Sequence, residues 1–159
     1  SIPSGVTITN AGTATGFGTN APAFFVNHTG GDQSIGNNSA TKVDYDNKVY
    51  DTNTAFNLAT DRFVVPTGQA GKYYLHATGS FNTEADFDRI EITLKKNGTD
   101  IASDRKRNFY YEHVKASIVI DLAEDDYIEV YAFQSSGGTV SWRNAVDDNY
   151  FVGFKLIGV

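Results

Sequence analysis

Acidic side chains are the most obvious candidates for chemistry in this 159-residue chain. They occur in three clusters: Asp86 and Asp88; Glu124, Asp125 and Asp126; Asp147 and Asp148. Calcium binds several loop oxygens, and a glycosidase needs two carboxylates that act as acid and base. The spacing matches no calcium loop motif, and it ranks no carboxylate pair above another. Solvated loop charge is the simpler interpretation, so we expect no cofactor and keep calcium as the alternative.

The other residue types that carry chemistry show no catalytic arrangement. His28, His76 and His113 have no metal-ligand spacing, and the chain contains no cysteine, which excludes a disulfide and a thiolate nucleophile. Neither a phosphate-binding loop nor a nucleophile elbow is present. We therefore expect a protein that is not an enzyme.

One basic and aromatic cluster is a candidate ligand-binding loop. It comprises Arg105, Lys106, Arg107 and Tyr110, residue types suited to glycan or protein contacts. A solvated turn that leads into a strand is the alternative. The formal net charge of −6 argues against nucleic-acid binding and against anionic membranes, and no apolar run is long enough to insert into a membrane.

The elements that would position these residues are β-strands. Ile90, Ile92 and Leu94 alternate with Arg89, Glu91 and Thr93, which predicts a strand with one solvated face. Asn97-Gly98 predicts a type I′ hairpin, and a second alternation runs from Val114 to Leu122. About ten such segments predict an all-β fold, a two-sheet antiparallel jelly-roll sandwich.

Two strands carry large side chains on both faces. In the strand after Gly71, Tyr73 and Leu75 alternate with Tyr74 and His76, and the stretch 150–157 is similar. One face belongs to the sandwich core, so the other face must pack against something else. The simplest partner is another copy of the chain.

The chain divides into two parts by composition. Residues 1–22 are mostly small and turn-forming, which predicts a flexible linker or the end of a stalk. Residues 23–159 form the predicted head domain. Because the chain has no methionine and begins at Ser1, we expect a piece of a longer protein.

The middle of the chain has aromatic, acidic and glycine residues at a recognisable spacing: Tyr45, Asp51, Phe56, Phe63, Gly71, Tyr73 and Leu75. This series resembles the signature of the C1q domain, in the wider C1q and tumour necrosis factor superfamily. Two extra residues lie between Phe63 and Gly71, and Leu75 replaces an aromatic residue.

Two further segments extend the resemblance to the end of the chain. Residues 150–156 resemble the closing strand of the family, and residues 122–126 resemble its Leu-x-x-Gly-Asp turn with Asp125 in place of glycine. Some family members bind calcium near the trimer apex, but Arg89 falls where such a carboxylate would be.

The resemblance implies a ten-stranded jelly roll that assembles as a homotrimer and recognises ligands through surface loops, without catalysis. By position, Tyr74, His76, Thr78 and Phe151 would face the threefold axis. Three copies of His76 would approach one another there, so acidification is expected to loosen the assembly.

The small-residue leader and the loops rich in Asn, Thr and Gly resemble the C1q-like tips of phage or bacterial fibres. We therefore expect an extracellular or virion-surface head that binds a cell-surface glycan or protein. The alternatives are a structural trimerisation cap with no ligand of its own and a secreted C1q-like lectin or cytokine.

Overall fold

The computed structural model describes residues 20–81, 87–107 and 113–157. Within these ranges the chain forms thirteen strands: β1 (Ala23–Asn27), β2 (Gln33–Ile35), β3 (Thr41–Lys42), β4 (Asn47–Asp51), β5 (Phe56–Asn57), β6 (Arg62–Val64), β7 (Gly71–Ser80), β8 (Arg89–Lys96), β9 (Thr99–Lys106), β10 (His113–Leu122), β11 (Tyr127–Ser135), β12 (Val140–Trp142) and β13 (Tyr150–Lys155). A short 3-10 helix, Thr52–Thr54, follows β4. Most of the segment 1–22 lies outside the described residues.

The strands form an antiparallel sandwich of two main sheets. One sheet has the order β10-β7-β13-β1-β4, and the other has the order β5-β6-β11-β8-β9, with β3 added alongside β11. Strands β12 and β2 form a separate pair. The predicted all-β jelly-roll fold is confirmed. The strand count differs from ten because short segments such as β3 and β5 are separate strands.

The core between the two sheets is mainly aromatic. The Phe24 ring stacks on Phe63 at 4.7 Å between centroids and meets the edge of Phe151 at 4.8 Å. Tyr45 and Phe56 pack against the same group at 6.0 Å from each other. Residues of β1, β6 and β13 thus meet across the sandwich, which joins segments distant in sequence through apolar burial.

The turns follow from backbone chemistry visible in the sequence. Asn97 and Gly98 both have positive φ, 50° and 82°, as the predicted type I′ hairpin between β8 and β9 requires. Asp125 has a φ of 66°. This left-handed conformation explains why related turns carry glycine at the position that Asp125 occupies.

The two extra residues before Gly71 belong to a turn that the neighbouring strands hold in place. The Gln69 backbone N–H donates to Pro66 O at 3.0 Å, and the Tyr73 hydroxyl donates to Gln69 O at 2.6 Å. Burial raises the pKa of Tyr73 to about 12, so this hydroxyl remains a donor at physiological pH. The backbone N–H of Gly68 donates to Glu124 at 3.0 Å. The insertion is therefore accommodated in the turn before β7, and the pairing of β7 with β10 and β13 shows no register shift.

The prediction of a solvated face on β8 is wrong in detail. Glu91 and Thr93 point away from the core, but both are only 8% exposed. The reason is that β8 lies between β11 and β9, so long side chains from both neighbours cover its outward face.

Gly79 is required where β7 passes beneath Trp142. A Cβ atom at Gly79 would lie 1.7 Å from Trp142 Cζ2, and the Trp142 ring is fully buried against Phe81 at 5.0 Å between centroids. The indole therefore occupies the space that any side chain at position 79 would need.

We predict that Gly79→Ala lowers the free energy of unfolding by about 3 kcal/mol, the upper end of the usual cost of overpacking a core. Gly31→Ala is the matched control, because a Cβ atom there has no neighbour within 4 Å. The control should change stability by less than about 0.5 kcal/mol. Urea denaturation measures both, and equal stability of the two variants would contradict the packing described for Trp142.

Candidate functional site

The outward surface of the five-stranded sheet carries a continuous group of apolar side chains. Because β13 pairs with β7 in antiparallel register, Phe154 lies opposite Tyr74, Val152 opposite His76 and Tyr150 opposite Thr78. Strands β1 and β4 extend this surface. We call it the aromatic face, and its members are Phe25, Tyr50, Tyr74, His76, Tyr150, Val152 and Phe154.

Ring contacts connect most of the aromatic face across four strands. Phe25 meets Tyr50 at 6.1 Å and Tyr150 at 5.3 Å between centroids. His76 lies 5.8 Å from Tyr150, and Tyr74 lies 5.4 Å from Phe154. Tyr50 is 45% exposed, and the other members are partly exposed. A single copy of the chain therefore leaves a broad apolar surface in contact with water.

His76 sits in the middle of this face. Its Nδ1 atom is buried and has no hydrogen-bond partner among the described residues. Burial lowers the pKa of His76, and the charge of Lys115 lowers it further. The imidazole is therefore neutral at physiological pH and suits an apolar contact surface.

The structure corrects one predicted interface residue. Phe151 is fully buried in the sandwich core, 6.1 Å from Phe56 and 6.2 Å from Tyr45 between ring centroids. It lies opposite Ala77, whose side chain also points inward. Phe151 cannot face a threefold axis, whereas Tyr74 and His76 do lie on the outward surface, with Thr78 nearly buried beside them.

Two residues of the predicted ligand-binding loop lie in a strand. Arg105 and Lys106 end β9, and Arg107 follows them with an exposed side chain. The Arg105 guanidinium binds Glu91 through two hydrogen bonds, at 2.9 and 3.0 Å. Tyr110 lies outside the described residues. Arg105 therefore lies in a strand and not in a loop. The role of the other three residues in ligand binding stays a prediction.

The carboxylate clusters serve the turns in which they occur. Asp126 accepts a hydrogen bond from the Ala123 backbone at 2.7 Å and from the Asn97 side chain at 2.6 Å, which joins the turn before β11 to the β8–β9 hairpin. Asp148 pairs with Arg143 at 2.9 Å. No group of three potential metal ligands occurs in the described ranges, which do not include Asp86.

Sequence reasoning missed the outward set of β13: Tyr150, Val152 and Phe154. Both faces of this strand carry large residues, so alternation alone does not say which face is inward. Gly153 is the discriminating signal, because a Cβ atom there would lie 2.7 Å from the Phe24 ring and 2.8 Å from Leu75. Position 153, and with it Phe151, must therefore face the core.

Comparison with known proteins shows what the chain resembles in three dimensions. The globular domain of zebrafish complement 1qA has a TM-score of 0.60 at 20% identity, and the match covers 85% of this chain and 97% of that domain. Murine APRIL at pH 8.0 has a TM-score of 0.66 at 14% identity, and the match covers 84% of this chain and 98% of that chain. Eiger TNF from S. frugiperda has a TM-score of 0.64 at 10% identity, and the match covers 86% of this chain and 93% of that chain.

No protein-family model and no curated protein sequence matches the chain. The structural matches nevertheless span nearly the whole of each compared domain. The chain is therefore a C1q/TNF-like domain in its fold, as the sequence resemblance predicts. In the parts that the structure describes, no helix has the length and apolar character needed to cross a membrane.

The lowered pKa of His76 predicts a loss of stability in mild acid. Because the pKa of the folded state lies below the ordinary value of 6.5, the unfolded chain binds more protons just below that pH. The stabilising contribution is thus complete above about pH 6.5 and declines as the pH falls toward the folded-state pKa. We expect His76→Gln to lose less stability than the wild type between pH 7.5 and pH 5.5, as measured by urea denaturation.

His113→Gln provides the control for this experiment, because the His113 side chain is 56% exposed. This variant should keep the pH dependence of the wild type. If His76→Gln and His113→Gln respond alike to acid, the burial of His76 does not govern the acid response.

Proposed function

We propose that this chain is a non-enzymatic, homotrimeric recognition domain whose subunits meet through the aromatic face. The observation that carries the proposal is the outward row of Phe25, Tyr150, His76, Tyr74 and Phe154 on the central strands of one sheet. A surface this apolar is stabilised by burial against another protein surface.

Burial against copies of the same chain explains why the face lacks a dense set of charges. Interfaces between identical subunits are more apolar than the rest of a protein surface, and aromatic residues are enriched there. The C1q resemblance of the sequence and the C1q/TNF-like fold support three copies around one axis. In this arrangement, Tyr74, His76 and Val152 of each copy lie nearest to the others.

The parent protein in this proposal is a phage or bacterial fibre, with the chain as its C-terminal head and residues 1–22 as a linker or the end of the stalk. The head would act outside the cell or on the virion surface and bind a cell-surface glycan or protein. The small-residue leader, the absence of cysteine and the loops rich in Asn and Thr support this assignment.

A structural trimerisation cap without a ligand is the second candidate. The pairing of Arg105 with Glu91 favours it, because this arginine is engaged within its own sheet and is not presented on a loop. Attachment of the isolated head to host cells separates the two functions, since only a recognition domain attaches.

We predict that the mass of the wild type in solution is three times the 17.3 kDa of one chain. Val152→Asp should reduce this mass to that of one chain. A carboxylate at position 152 would be buried without a partner at the interface, and the cost of that burial opposes assembly. Light scattering coupled to size exclusion measures the mass.

Val146→Asp is the control, because Val146 is 51% exposed and lies in the loop before β13. It introduces the same charge away from the aromatic face and should leave the mass unchanged. A wild-type monomer at micromolar concentration would overturn the proposal, as would a trimer that persists in a folded Val152→Asp variant.

A further inference from the structure

The outward surface of the other sheet is organised in a different way. Strand β11 lies in the middle of this sheet, with Ile128, Val130 and Ala132 directed into the core. Its opposite face therefore presents Tyr127, Glu129, Tyr131 and Phe133 in a row. The three aromatic side chains are partly exposed, whereas Glu129 is buried.

A cation from a neighbouring strand covers each of these rings. Arg62 Cζ lies 4.1 Å from the centroid of Tyr127, and Arg89 Cζ lies 3.8 Å from that of Phe133. Lys95 Nζ lies 5.1 Å from the Tyr131 centroid. We call these three cations, Arg62, Lys95 and Arg89, the cation row. Stacking on the rings restricts where each head group can move.

Carboxylates lie beneath this layer of positive charge. The Glu129 side chain is 4% exposed and contacts Arg62 at 2.8 Å and Lys42 at 3.5 Å. The Glu91 side chain is 11% exposed and contacts Arg105 at 2.9 Å and Arg89 at 3.8 Å. Each buried acid is thus bracketed by two cations. Lys95 also pairs with the exposed carboxylate of Asp100, so the positive charge of the cation row comes mainly from Arg62 and Arg89.

The arginines of the cation row keep hydrogen-bond donors available. Arg62 uses its Nε atom to bind Glu129, and its two terminal nitrogens have no partner among the described residues. No hydrogen bond from the Arg89 side chain to the described residues is seen, its Nε atom is buried without a partner, and its contact with Glu91 is an ion pair at 3.8 Å. A guanidinium that lies over a ring and keeps terminal N–H groups free can bind a carboxylate or sulfate.

We propose that this surface binds a linear acidic polysaccharide that runs along β11 and contacts the cation row. Tyr127 and Phe133 are six residues apart on one strand, so the row is roughly 20 Å long. An extended chain with repeated anionic groups can contact Arg62 and Arg89 together. This proposal rests on the recognition role proposed above and specifies its ligand class and its surface.

Two other ligand classes fit this surface less well. A neutral sugar stacks on an open aromatic face, but cations already cover the faces of Tyr127, Tyr131 and Phe133. Single-stranded nucleic acid stacks its bases on open aromatic rings, and the cations cover these ring faces in the same way. Recognition therefore uses the guanidinium donors and a ligand with repeated anionic groups.

The experiment is titration calorimetry of the full chain with two probes, a polygalacturonate decasaccharide and a heparin decasaccharide, in 50 mM salt. The wild type should bind at least one probe, and the affinity should fall as salt increases. The double variant Arg62→Gln/Arg89→Gln should bind at least 10-fold more weakly. In this variant Glu129 is still paired with Lys42, and Glu91 is still paired with Arg105. The sheet should therefore remain folded.

Arg143→Gln is the control, because Arg143 is a more exposed arginine that pairs with Asp148 and is not part of this sheet. It should change the affinity less than 2-fold. Arg62→Lys/Arg89→Lys should lie between the wild type and the glutamine variant, since it keeps the charge but loses the planar fork.

Three results would overturn the proposal: no binding of either decasaccharide by the folded wild type, equal binding by Arg62→Gln/Arg89→Gln, or equally tight binding of an oligothymidylate. Light scattering on the same samples keeps the two proposals distinguishable. A trimer that binds neither decasaccharide refutes the polysaccharide surface alone, whereas a monomer that binds them refutes the trimer alone.

Discussion

The central constraint on this domain is that β7 and β13 carry large apolar side chains on both faces. Tyr73, Leu75 and Phe151 fill the sandwich, and the same two strands direct Tyr74, Val152 and Phe154 outward. A sheet covered on one side by its own partner sheet leaves the second set in water. How these outward side chains are buried determines how the chain can assemble.

Packing in the core decides which set points inward. Gly153 fits between the Phe24 ring and Leu75, where a Cβ atom would approach within 2.7 Å, and its neighbour Phe151 completes the aromatic core. This arrangement fixes the register of β13 against β7, and it places His76 opposite Val152 on the outward side. A one-residue slip would exchange the two faces and expose Phe151.

The two sheets use aromatic residues in opposite ways. On the β7–β13 side the rings contact one another and no described cation stacks on them, which suits contact with an apolar partner. On the β8–β11 side, Arg62, Lys95 and Arg89 lie over the rings, which suits a solvated surface that binds anions. In the two proposals, one sheet serves assembly and the other contacts the ligand, so an assembled trimer would present three copies of the cation row.

Local sequence chemistry predicts much of the fold and less of the sites. The hairpin at Asn97-Gly98 and the alternation of β10 follow from residues adjacent in the chain, so the sequence alone reveals them. The inward orientation of Phe151 and the pairing of Arg105 with Glu91 depend on strand register and on neighbours fourteen or more residues away. Alternation is symmetric when both faces carry large residues, so it does not choose between them, and the position carried over from the family resemblance assigned Phe151 to the wrong side.

The most direct test of the account is an experimental structure of the assembly that the chain forms in solution. The account predicts three copies around one axis, with Tyr74, His76 and Val152 of each copy in contact with the other two and Arg62 and Arg89 facing solvent. An assembly in which the β8–β11 sheet forms the subunit contacts, or a chain that remains single with the aromatic face in water, would contradict it.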